Sequence, residues 1–247
     1  MAILKKSLAT ALSLISVLTL FSGCGKEEKK VLVMATNAEF PPYEYYDQNK
    51  IVGIDVEIAQ AIADDMGMEL VVEDMAFESI IAAVQSGKAD FGAAGMTVDE
   101  DRLLSVDFSN PYTTASQVII VNDNSDIAVP DDLTGKTIGV QIGTTGAIYA
   151  EDIENSTVER YSKGFEAVQA LSQGKVDAVI IDREPAKILT EQTTGLKILD
   201  QEFTSEEYAI AVQKDNKELV DSINKTLAEL EESGRLQEII SKYISAE

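Results

Sequence analysis

Short runs of β-branched and aliphatic residues alternate along the chain with longer stretches whose apolar positions recur at helical spacing. Val31–Ala35 and Glu69–Val72 are strand-like, and between them Asp55–Met66 sets Ile58 and Ile62 on one helical face. Asp55 is placed to cap that helix and Gly67 to stop it. From Lys217 the periodicity is helical again through Leu219, Val220, Ile223, Leu227 and Leu230, breaks at Gly234, and resumes with Leu236, Ile239, Ile240 and Tyr243. Alternation of this kind predicts an α/β architecture of open, mostly parallel sheets flanked by helices.

The pattern repeats. Phe77–Phe91 reads F-E-S-I-I-A-A-V-Q-S-G-K-A-D-F and Phe165–Val179 reads F-E-A-V-Q-A-L-S-Q-G-K-V-D-A-V, each a helix, a glycine stop and a strand. A lysine-led strand stands upstream of each copy, K-V-L-V-M-A-T from Lys30 and K-T-I-G-V-Q-I from Lys136. Glycine followed by lysine is common at helix ends, so the copies alone could coincide by chance; with the upstream strands they imply two lobes of one design. Ser116–Val121 and Glu207–Val212 fit neither copy and are expected to be crossovers. Lobe one is then expected at 31–115 and 208–247, with the C-terminal helices packed back on it, and lobe two at 116–207.

Before the first strand the pattern changes character. Lys5 and Lys6 precede an uncharged run, apolar chiefly from Leu8 to Phe21, that ends in F-S-G-C at Cys24. This is a signal-peptide layout. The apolar part, diluted by Thr10, Ser13, Ser16 and Thr19, is shorter than the roughly 20 residues of a membrane span. Ser22, Gly23 and Cys24 resemble a bacterial lipobox, with Phe21 where leucine is usual. The expectation is a lipoprotein signal peptide over 1–23, a lipidated Cys24, and a tether over 24–30, giving an exported protein anchored to the outer face of the cell membrane. A free buried thiol is the other reading of Cys24, which has no second cysteine for a disulfide.

A chain of 247 residues with 45% hydrophobic and 26% charged residues has globular composition. Its net charge of -23, without any lysine- or arginine-rich stripe, argues against a nucleic-acid partner. With no histidine and one cysteine there is no zinc-site spacing, and G-T-T-G at Gly143–Gly146 matches neither a P-loop nor a dinucleotide fingerprint. No metal, cofactor or catalytic residue is expected, which leaves polar groups placed after strands.

Open α/β sheets bind ligands outside the carboxyl ends of their strands. Four clusters qualify: Thr36–Tyr45 (T-N-A-E-F-P-P-Y-E-Y), Ala93–Arg102 (A-A-G-M-T-V-D-E-D-R, with Ala94 and Gly95 at its start), Gln141–Gly146 (Q-I-G-T-T-G) and Ile181–Arg183 (I-D-R). Their chemistry suits a zwitterion. Arg102 could fork onto a carboxylate and Asp182 take an ammonium, each through a charge-assisted bond. Thr97, Thr144 and Thr145 add hydroxyls and helix-start amides, and Phe40 and Phe77 add aromatic faces. Each residue also has a plainer reading: Arg102 as a helix-start ion pair after Asp99, Glu100 and Asp101, Asp182, Thr144 and Thr145 as helix caps, Phe40 as a packed turn, Phe77 as core.

Taken in order, F-P-P-Y-E-Y at Phe40, I-V-G-I-D-V-E-I at Ile51, A-A-G-M-T-V-D-E-D-R at Ala93, V-D-F-S-N-P-Y at Val106, G-V-Q-I-G-T-T-G at Gly139 and G-K-V-D-A-V-I-I-D at Gly174 resemble the bacterial family 3 extracellular solute-binding proteins. These are the receptors of polar amino-acid ABC importers. The resemblance runs from about Val31 to the end of the chain. It implies a two-lobed type II periplasmic-binding-protein-like fold with two hinge crossovers, acting as a monomer with ABC permease subunits as partners. It also implies that Arg102, with Thr97 and Thr145, clamps the ligand carboxylate, and that Asp182 and the Gly95 carbonyl take the ammonium. Phe40 and Phe77 would sandwich the side chain, with Asn37, Glu39 and Gln141 tuning specificity towards arginine, lysine or a glutamine-like ligand. Asn37 stands where many relatives have an acid. A lyase on the same fold, with Glu39 as acid or base, is the enzyme-class alternative; a receptor's sensing domain would call for a second membrane segment or a signalling module, which the pattern lacks.

Overall fold

Each lysine-led strand lies inside a sheet of its own. The structure, a computed structural model, describes residues 30–244; the expected signal peptide, Cys24 and nearly all of the tether lie outside the described residues. The first half runs β1 (Val31–Thr36), β2 (Glu39–Phe40), β3 (Glu44–Asp47), β4 (Lys50–Val52), α1 (Ile54–Asp65), β5 (Glu69–Asp74), α2 (Ile80–Gln85), β6 (Phe91–Gly92), α3 (Glu100–Ser105) and β7 (Val106–Phe108). The second runs β8 (Thr113–Asn122), β9 (Thr137–Gln141), α4 (Thr145–Glu151), β10 (Thr157–Tyr161), α5 (Gly164–Ser172), β11 (Ala178–Asp182), α6 (Arg183–Gln192), β12 (Leu196–Ile198) and β13 (Thr204–Tyr208). The chain then returns through β14 (Ala211–Gln213) to α7 (Lys217–Glu232) and α8 (Arg235–Tyr243).

One sheet has the order β5-β1-β6-β14-β7, the other β10-β9-β11-β8-β12 with β13 also on β8, and β2, β3 and β4 form a small third sheet. The repeat is visible in the register, because β1 pairs in parallel with β6 (Met34 opposite Phe91) just as β9 pairs with β11 (Ile138 opposite Ala178). The aspartate of each G-K-x-D does the same work in both copies. Asp90 accepts from the Val33 amide at 2.7 Å and Asp177 from the Thr137 amide at 2.8 Å, each clamping the head of the lysine-led strand.

The sheets are mixed rather than mostly parallel. β14 runs antiparallel to β6 and β7, and β8 antiparallel to β11, β12 and β13. Both β8 and β14 enter from the other lobe by a short crossing. Ser116–Val121 is accordingly no linker. Val118, Ile119, Ile120 and Val121 are fully buried in the middle of β8, and a strand covered on both faces reads as a continuous apolar run. The chain changes sheets between Phe108 and Thr113 and returns between Tyr208 and Ala211, where β13 and β8 are paired (Tyr208 opposite Thr113).

Both faces of each sheet are covered. α1 presents Ile58 and Ile62, and α7 and α8 present Ile223, Leu227 and Ile239, to one core that also holds Leu32, Met34 and Phe91 of the first sheet. The other face of that sheet packs on Ile80 and Val84 of α2. In the second lobe, Ala147 and Ala150 of α4 join one core and Val168 and Leu171 of α5 the other. α1 ends as expected: Gly67 takes a φ of +67°, and the Met68 amide donates back to the Ala63 carbonyl at 2.8 Å. Its start differs, because Gly53 is the cap and Asp55 lies within the first turn, buried, its carboxylate turned inward to Gly95 and Tyr112. Gly53 is required there. Its φ is +136°, and a Cβ would fall 2.1 Å from the Tyr43 carbonyl oxygen.

Candidate functional site

Every candidate ligand-site residue except Glu39 lines one cavity between the lobes, and Glu44 joins them. The lobes touch directly around it: the Gln141 side-chain amide donates to Asn37 Oδ1 at 3.0 Å, and Arg102 Nη2 donates to the Gly143 carbonyl at 2.9 Å. Lys163 pairs with Glu39. Glu39 is therefore a rim residue, because on β2 it points away from its neighbour Phe40, which faces the cavity.

Arg102 is 7% exposed and lies in α3, whose cap Asp99 accepts from the Arg102 amide at 2.8 Å and forms an ion pair with its Nε at 3.0 Å. The helix-start ion pair and the cavity position are both real. Arg102 Nη1 also donates to the Thr97 carbonyl at 2.7 Å. A guanidinium has five N–H donors, so with Asp99, Thr97 and Gly143 served, one N–H remains on each terminal nitrogen. Burial lowers the Arg102 pKa, opposed by Asp99, Glu206 and Asp182; the group stays charged. Its guanidinium carbon sits 5.4 Å from the centre of the Phe77 ring, so Phe77 stacks on Arg102 as well as facing the cavity. Phe77 lies in a single 3₁₀ turn, Phe77–Ser79, ahead of α2.

Asp182 ends β11 and occupies the cap position of α6, but its carboxylate makes no capping bond. Tyr208 donates to it instead. Burial pushes the Asp182 pKa up to about 7, with the Tyr208 hydrogen bond pulling down and the charge of Glu206 pushing up. The threonines divide. Thr144 caps α4, accepting from the Ala147 amide at 3.3 Å and donating to the Gln141 carbonyl at 2.9 Å. Thr97 commits its proton to Glu206 Oε2 at 2.6 Å. Thr145 accepts from Gln117 at 3.5 Å, which leaves its own hydroxyl proton for the cavity. Asn37 donates to the Met75 carbonyl at 3.0 Å.

Gly95 and Phe40 are fitted to one another. Ala94 and Gly95 follow β6, Gly95 has a φ of +52°, and a Cβ there would lie 2.9 Å from Phe40 Cε1. Phe40 stacks on Tyr43 at 5.9 Å and packs against cores of both lobes. Beneath them Asp55 accepts from the Gly95 amide and the Tyr112 hydroxyl, both at 2.8 Å. Sequence reasoning missed Glu44, Gln117, Glu206 and Tyr208. On β13 the buried residues alternate with exposed ones at Glu206 and Tyr208, but both faces of the strand carry polar residues, so no hydrophobic alternation marks it.

Comparison with known proteins agrees with this fold. The arginine-binding extracellular protein ArtP of Bacillus subtilis (strain 168) is 36% identical over 233 residues, covering 92% of this chain and 91% of that protein. An ancestral arginine-binding protein bound to arginine superposes with a TM-score of 0.83 at 40% identity, over 88% of this chain and 99% of the other. An ancestral arginine-binding protein bound to glutamine gives 0.81 at 39% identity, over 88% and 99%. Both structures, like the present one, are built on the same two-lobed fold. Residues 32–246 match the profile of bacterial extracellular solute-binding proteins, family 3, and the chain belongs to that family.

Proposed function

We propose that this protein is the substrate-binding lipoprotein of an ABC importer, capturing a polar amino acid, L-arginine first among them, by hinged closure of its two lobes. The observation that carries this reading is the placing of Arg102 and Asp182, opposite in charge and both buried, on a single interlobe cavity. The two uncommitted N–H groups of Arg102 and the Thr145 hydroxyl suit an α-carboxylate; Asp182 and the Gly95 carbonyl suit an α-ammonium. Hinged closure would turn on the paired strands β8 and β13, with lobes at 31–115 plus 208–247 and 116–207. Cys24, lipidated after removal of residues 1–23, would hold the receptor beside its permease. The arginine preference draws on the names of the relatives. Glutamine is the second reading, favoured by the Asn37–Gln141 amide pair at the cavity wall. For the lyase alternative, the acid–base candidate Glu39 is paired with Lys163 at the rim and does not line the cavity.

A thermal-shift screen of the mature protein against the twenty amino acids and cystine tests the reading. A ligand at about 100 times its Kd adds about 2.7 kcal/mol of stability, so arginine is expected to raise the melting temperature by several degrees. No shift with any amino acid sinks the proposal. The pH dependence has a definite sign. Asp182 titrates near 7 when the cavity lacks a cation, and an ammonium requires it ionised. Affinity should therefore be highest above that pH and fall by up to about tenfold per unit below it, with a proton released on binding. Calorimetry in buffers of different ionisation enthalpy reads both; an affinity flat between about pH 5 and 7 would contradict the role of Asp182.

A further inference from the structure

Glu44 opens β3 with its side chain fully buried, lines the interlobe cavity, and has neither carboxyl oxygen within reach of a protein hydrogen-bond donor. An ionised carboxylate cannot persist in such a place without partners. The charges that bear on it are acidic, Asp55 from α1 and Asp182 from the end of β11, and the phenols of Tyr43 and Tyr112 lie close enough to feel it. Asp55 lies within hydrogen-bonding reach of Glu44 and is as deeply buried.

The two acids are not equivalent. Asp55 already accepts from the Gly95 amide and the Tyr112 hydroxyl, both at 2.8 Å, and these donors favour its charged form. Glu44 has no such donors. Two adjoining buried carboxyls share a single negative charge, and the proton resides on the one whose anion is less well solvated. We infer that Glu44 is an additional ligand-site residue that works as a neutral acid, its O–H held on Asp55 and its other oxygen presented to the cationic end of the amino acid. Burial raises the Glu44 pKa well above the ordinary carboxylate range, with Asp55 adding to the effect, in keeping with this assignment. The same O–H steadies Asp55, which in turn holds the Gly95 peptide whose carbonyl faces the ammonium. This inference rests on the amino-acid reading of the cavity, although the position of the proton does not.

Two measurements separate these parts. In the ligand-free protein, the infrared band of a protonated carboxyl should be present and should be lost in Glu44→Gln, so that it stands out in the wild-type minus Glu44→Gln difference. In calorimetric titrations with L-arginine near pH 7, Glu44→Gln, which keeps an N–H for Asp55 and a carbonyl for the cavity, should bind within about threefold of wild type, and Glu44→Leu at least about tenfold more weakly. The sign with pH follows from the raised pKa. Ionised Glu44 would add a negative charge beside the cationic end of the ligand, so the wild-type affinity relative to Glu44→Gln should stay level while Glu44 holds its proton and rise only as the pH passes through that pKa. Taking the ratio cancels the titration of arginine itself. A missing infrared component, or a Glu44→Gln protein that binds as weakly as Glu44→Leu or ten times below wild type, overturns the inference. If Glu44→Leu does not fold, Glu44→Gln against wild type decides alone. A wild-type protein that has the band but binds no L-arginine supports the proton's placement and counts against the amino-acid reading instead.

Discussion

Arg102→Ala is expected to weaken binding of every amino-acid ligand by about 2 to 5 kcal/mol, roughly thirtyfold to several thousandfold. Removing the guanidinium does more than delete a partner for the ligand carboxylate. Asp99, Glu206 and Asp182 all act on Arg102, so without it the cavity presents an anion with an acidic wall. The loss should be common to all ligands, because the α-carboxylate is common to them. Arg102→Lys should recover little: one ammonium cannot serve the Thr97 and Gly143 carbonyls and Asp99 and still fork onto a carboxylate. Calorimetry with a melting curve for each variant distinguishes lost binding from lost folding. A folded Arg102→Ala protein with affinity within threefold of wild type would remove Arg102 from the site.

Gly53→Ala should be among the most damaging single-methyl changes in the molecule, costing about 3 kcal/mol or more of folding stability. Its φ of +136° with ψ of -179° lies in a region almost restricted to glycine, and the added Cβ would meet the Tyr43 carbonyl oxygen at 2.1 Å and the Glu44 amide nitrogen at 2.9 Å. Those are backbone atoms, so no side chain can swing aside. Of the residues displaced, Glu44 lines the cavity and Tyr43 stacks on Phe40, which also lines it, so binding should weaken along with stability. Gly174→Ala is the control. It also has a positive φ, +68°, but nothing lies within 4 Å of the new methyl, so only the backbone strain of about 1 kcal/mol should appear. Urea unfolding of the two variants measures the difference; equal stabilities would mean that the 43–53 contact yields easily.

Much of the site was legible because it hangs from the ends of strands that announce themselves. Val31–Thr36 and Thr137–Gln141 are apolar, lysine-led and repeated, so the residues beyond them, Asn37, Phe40, Gln141 and Thr145, could be placed before any contact was known. Residues whose burial depends on a partner distant in sequence left no such trace. Glu44 stands between Tyr43 and Tyr45 with no apolar alternation to mark it as buried, and only the approach of Asp55 and Asp182 distinguishes it. Asp55 has the spacing of a cap, yet the cap is Gly53, and the aspartate is drawn in by the Gly95 amide forty residues later. Ser116–Val121 misled in the opposite way, since apolar residues without helical period describe a central strand as well as a connection. Glu39 was named from its place after the first strand and from the family resemblance; it pairs with Lys163 and does not line the cavity.

Phe40 packs against cores on both sides of the cleft, and this would tie the proposed closure of the lobes to temperature. Opening the lobes would wet that ring, so the open form should have the higher heat capacity, and the balance between the forms should curve with temperature. Apolar contact weakens on cooling. The closed shape, held partly by one shared aromatic ring, should consequently loosen in the cold even when the polar bonds across the cleft are unchanged.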